Sequence, residues 1–115
     1  MQAVLLFLNL LVSLASAVAA VIALIRPASL SGSSRVEAGE IFYVRMYAAR
    51  SIPLGLAAAI LPFWPSGTAI ATVLFTAAVI QSVDVAIAVW KEERGMMIGA
   101  SVGAIVHFLC GIAIM

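Results

Sequence analysis

Five ionisable or amide side chains stand out within long, mainly apolar stretches: Arg45, Arg50, Gln81, Asp84 and His107. An ionisable group placed in a membrane costs at least a few kcal/mol at the bilayer centre, so such groups face inward and pair. Asp84 and His107 could donate and accept a proton in a dry pocket, and Arg50 could hold an anionic group there. These three residues are the candidate catalytic set. Tyr43, Tyr47, Gln81 and Arg45 are the candidate ligand-binding residues around them. Tyr43, Tyr47 and Arg50, preceded by Glu40, follow spacings of 3, 4 and 3 and so form one stripe of a helix. Gln81 and Asp84 share a face of another. Arg45 points roughly 140° from Arg50 at 100° per residue, where it can also snorkel to a lipid phosphate.

The surrounding elements follow from composition. The chain has 115 residues, 65% of them hydrophobic and 10% charged, with a mean hydropathy of +1.23. A soluble domain is about a quarter charged, so these few charges cannot cover a water-soluble globule. Apolar runs at about 3–25, 41–63, 68–90 and 96–115 are each roughly 20 residues long, enough to cross ~30 Å of hydrocarbon as a helix. A polar loop at 26–40, a turn at 64–68 and a turn at 91–95 connect them. Short connections make neighbours antiparallel, so the expected fold is all-α: a single integral membrane, up-down four-helix bundle. The first run has small residues resembling a cleavage site. It lacks a basic leader and continues to Ile25, so it is expected to be a retained span.

Entering from the side of the 26–40 and 91–95 loops, Arg45, Asp84, Arg50 and His107 lie ~6, ~9, ~14 and ~17 Å deep at ~1.5 Å per residue. Asp84 is therefore expected to pair with Arg50, with Arg45 as the alternative. Pro53 leaves the Ala49 carbonyl without its usual donor just beyond Arg50. The last span carries Gly95, Gly99, Gly103 and Gly111 at intervals of four, with His107 completing the row. Small residues at that spacing allow close helix packing, inside the bundle or in a homodimer through this helix.

Loops 26–40 and 91–95 hold Arg26, Arg35, Lys91 and Arg94, whereas the opposite side has no Lys or Arg. The positive-inside rule places both loops in the cytoplasm and both termini across the membrane, a bacterial inner membrane or an organelle membrane. Trp90 and Tyr43 would anchor the inner interface and Trp64 the outer. The net charge of +1 suggests no nucleic-acid partner. The expected partners are the bilayer and a lipophilic small molecule. One histidine, one cysteine and scattered carboxylates suggest no metal and no cofactor, and the single Cys110 excludes an intramolecular disulfide.

The runs "RMYAARSIPLGL" and "IQSVDVAIAVWKEE", followed by a span with a histidine, resemble a family of small bacterial and fungal four-helix membrane proteins. That family is catalogued as a domain of unknown function and is DoxX-like in general character. The resemblance covers roughly residues 40–115. Arg45, Arg50, Leu54 and Gly55 fall on the family's two-arginine and Leu-Gly pattern, and Asp84 on its late acid. Ser51 departs from it, because the family often carries an acid there; Asp84, or Asp84 with help from Glu40, must then balance Arg50. Some DoxX-like relatives are associated with quinone or thiol redox systems.

Three functions are compatible with these residues. One is a pocket that binds a lipophilic molecule, with isomerase- or cyclase-like proton transfer as an extension. A second is a small multidrug-type transporter, disfavoured because residues 3–25 contain no acid. The third is a non-catalytic subunit or scaffold using the glycine face.

Overall fold

The computed structural model describes the whole chain except residues 32–34 and 66, and the side chains of residues 30 and 31. The expected loop 26–40 and turn 64–68 therefore lie partly outside the described residues. Four long helices carry the fold: α1 (Gln2–Ile25), α3 (Ala38–Ile60), α4 (Thr68–Trp90) and α5 (Arg94–Ile114). A one-turn helix α2 (Ala28–Ser31) follows α1, and a 3₁₀ turn (Leu61–Phe63) ends α3. All four long helices are long and apolar enough to cross a membrane.

Local chemistry sets the boundaries. Helix α3 starts at Ala38, three residues earlier than the apolar run, because Glu37 and Glu40 form a reciprocal capping box. The Glu37 N–H donates to Glu40 Oε2 at 2.7 Å, which satisfies one of the orphan donors of a helix start. Glu40 is thus part of the helix terminus. Helix α4 ends in a Schellman arrangement, in which the Glu92 N–H donates to Val89 O and the Glu93 N–H to Ala88 O. Glu92 takes the left-handed position, with φ of 59°. The tight reversal lets α5 begin at Arg94, inside the expected 91–95 turn and two residues before the apolar run at 96–115.

Residue pairs fix the topology. Asn9 meets Ala58, and Ser13 and Ala17 meet Gly55, so α1 and α3 are antiparallel. Arg50 meets Asp84 across α3 and α4. Gln81 lies against Gly103 and Phe75 against Gly111 across α4 and α5. His107 meets Asn9 and closes the ring from α5 to α1. The result is an up-down bundle in which each helix touches its chain neighbours, with the first and last helices also in contact.

Small residues fill the interior. Ala17, Ala20, Ala48, Ala59, Ala71 and Ala88 are buried, with Leu74 and Cys110 as the larger fully buried apolar members. Cys110 packs with Ala58, Ala71, Leu74 and Ile114. Large apolar side chains such as Phe7, Val79, Ile105 and Trp90 point outward. Small inside and large outside lets helix backbones approach closely, which is the packing that hydrocarbon-embedded helices use.

Candidate functional site

Two polar clusters join the helices, one reaching the bundle surface at Arg50 and one fully inside. In the first, Arg50 Nη2 lies 3.1 Å from Asp84 Oδ1. Asp84 is buried on α4, whereas 42% of the Arg50 side chain remains accessible. The guanidinium also sits over the Tyr47 ring, 5.9 Å from its centroid, close enough for a cation–π contribution. One turn of α3 thus presents both residues, and the ring and the carboxylate hold the guanidinium from two directions.

The second cluster joins three helices through a residue that the charged positions do not reveal. Pro62 has no N–H, so the Ala58 carbonyl four residues earlier loses its normal helical donor. Asn9 Nδ2 supplies the replacement at 2.7 Å. Because a carbonyl only accepts, the Asn9 amide nitrogen must face Ala58, which turns Oδ1 toward His107 Nδ1 at 2.8 Å. His107 therefore donates from Nδ1, and in the neutral ring Nε2 keeps the lone pair. Asn9 is fully buried and His107 nearly so, at 0% and 2% exposure.

A cavity of about 490 Å³ opens beside the first cluster. Tyr47, Gln81 and Asp84 line it, with Ser16 from α1 and Gly95 and Gly99 from α5. Gln81 Nε2 donates to Ser16 Oγ at 3.2 Å. A methyl group added at Gly95 or Gly99 would meet nothing within 4 Å. Those two glycines make room for the cavity, whereas at Gly103 and Gly111 an added Cβ would come within 3.1 Å of Gln81 and 2.9 Å of Phe75. The four glycines of the row thus divide into two that open space and two that pack within the bundle.

The other expected site residues separate by position. Tyr47, Gln81 and Asp84 line the cavity, and Arg50 reaches it through Asp84. His107 borders only a narrower space deeper in the bundle. Tyr43 is 70% exposed and packs edge-to-face on Phe42, while Arg45 is exposed on the outside of α3. Neither lines the cavity: they flank the buried Val44 on α3, one residue to either side, and of the Tyr43 stripe it is Tyr47, a turn further on, that reaches it. Thr72, Thr76 and Ser82 donate to carbonyls one turn back, Thr68, Thr72 and Ala78, and take no part in the site. Among the described residues, no group of three or more His, Cys, Asp and Glu comes together as a metal site requires.

Comparison with known proteins identifies no relative: no family model, no curated protein and no solved structure matches the chain.

Proposed function

We propose that this chain is an integral membrane protein that binds a lipophilic small molecule in the cavity beside Arg50 and Asp84. The basic connections 26–40 and 91–95 face the cytoplasm and both termini lie on the opposite side. The large apolar side chains on the outside of the bundle support immersion in hydrocarbon, since a soluble protein rarely exposes so continuous an apolar surface.

The observation that carries the binding reading is the cavity itself. Its volume, about 490 Å³, falls within the ~300–1,000 Å³ of ligand pockets, and such pockets pair apolar walls with a few placed polar groups. Here Tyr47, Gln81 and Asp84 supply the polar groups, and two glycines keep the α5 wall thin. Binding is better supported than proton transfer. Asp84 is engaged by Arg50, and His107 lies outside this cavity, so the acid and base that an isomerase or cyclase would need do not meet there.

Gly99→Phe tests the reading. Its ring enters open space, so the bundle should keep its helix content and melting temperature while the cavity fills. Native mass spectrometry of protein released from membranes should show a bound small molecule on the unaltered chain and none on the variant. An unaltered chain without an adduct, or the same adduct on both, would remove the cavity as a binding site.

A further inference from the structure

A second, much smaller space lies between the two polar clusters. It measures about 20 Å³ and is bordered by Ser13, Ser16, Ser51, Gln81, Asp84 and His107. One water needs roughly 10–15 Å³ of such volume and two to four polar partners. The space is thus large enough for one water molecule and too small for an organic ligand.

Ser13 supplies an independent observation. It is fully buried, at 0% exposure, and among the described residues its hydroxyl is the one buried side-chain polar atom without a hydrogen-bond partner. Leaving a buried hydroxyl unpaired costs about 1–3 kcal/mol. Ser13 does not bond back to its own helix, as Thr72, Thr76 and Ser82 do. It borders the small space instead.

We propose that this space is a built site for a single internal water that joins the Arg50–Asp84 pair to the Asn9–His107 pair in one hydrogen-bonded network. The partners are complementary. The Ser13 hydroxyl can donate to the water oxygen. The Asp84 carboxylate and His107 Nε2, the ring nitrogen that Asn9 leaves unused, can each accept a water proton. The charge balance selects water over a metal cation. Arg50 neutralises Asp84 and an imidazole carries no negative charge, so no surplus negative charge remains to offset the dehydration of an ion. Calcium-type cations would also want six to eight oxygen ligands. The space shares Ser16, Gln81 and Asp84 with the wall of the larger cavity, whereas His107, whose ring reports on the water, borders the small space alone.

The test is NMR of the full chain in lipid nanodiscs, with the histidine ring labelled, measuring magnetisation transfer from water to His107. The unaltered protein should show transfer to the His107 ring and a ring protonated at Nδ1. Ser13→Val, which fills the space with methyl groups, should abolish the transfer while the Nδ1–H signal persists. Absence of transfer in the unaltered protein would mean a dry gap and overturn the proposal, whatever the variant does. A His107 signal that shifts when sodium is replaced by a bulky organic cation would assign the site to an ion and overturn it equally.

Discussion

At the scale of single residues, one uncharged amide organises more of the interior than any charged group does. Asn9 answers the carbonyl that Pro62 frees and fixes which nitrogen of His107 carries its proton. Removing it leaves two buried polar groups unsatisfied, each worth about 1–3 kcal/mol. Asn9→Leu, which keeps the volume and loses the amide, should therefore lower stability by about 2–6 kcal/mol, read as a fall in melting temperature in detergent. A loss under 0.5 kcal/mol, the ordinary range of a surface substitution, would show that the bridge contributes nothing. Asn9 was not legible from sequence. An uncharged amide inside a 24-residue apolar helix carries no charge cost that would mark it out. Pro62 does leave a free carbonyl that can be read from the chain, but matching it to Asn9 requires the register of α1 on α3. The pairing of Arg50 with Asp84 was legible, because depth from the membrane surface and the cost of burying charge leave few alternatives.

At the scale of elements, spacing predicted that the glycines matter but not what each one does. A row at intervals of four turns about 40° per step on an α-helix, so its members cannot all face one partner. Gly103 and Gly111 turn toward α4, while Gly95 and Gly99 open onto the cavity. Gly55, on α3, makes the tightest backbone approach of all: an added Cβ would lie 2.9 Å from the Ser13 carbonyl oxygen. The contrast yields an ordered series. Gly99→Ala should leave stability unchanged or raise it by up to about 1 kcal/mol, since alanine favours helix. Gly111→Ala should lower stability, because the Phe75 ring must move, and Gly55→Ala should lower it more, because backbone cannot move without parting α1 from α3. Thermal melting of the three variants checks the order; equal effects would show that these contacts do not limit helix approach. Helix boundaries illustrate the same division. The apolar runs located all four long helices to within about three residues, and the residual error at α3 came from the Glu37–Glu40 capping box, a polar extension that hydropathy alone places in a loop.

At the scale of the whole molecule, a small-residue interior and a large-residue exterior suit a bundle whose solvent is lipid. Such packing gains little from burying large apolar side chains, so polar contacts between helices carry much of the specificity. Here they link α3 to α4 through Arg50 and Asp84, α1 to α3 and α5 through Asn9, and α1 to α4 through Ser16 and Gln81. The cavity beside Tyr47 is framed by these links, and its existence could not be read from sequence, since empty space is a property of how four helices tilt together. The Arg50–Asp84 pair is the ionic link between α3 and α4, running from the bundle surface to a buried carboxylate. The most direct measurement is the detergent melting of Asp84→Asn beside Arg45→Gln. Asp84→Asn strands a guanidinium whose partner is buried, and with Arg50 partly accessible the loss should be about 1–3 kcal/mol, below the 3–5 typical of a fully buried pair. Arg45→Gln alters an exposed position and should change stability by less than about 0.5 kcal/mol. A large loss confined to Asp84→Asn is the predicted result; equal, small losses from both would contradict the pairing and the cavity framed by it.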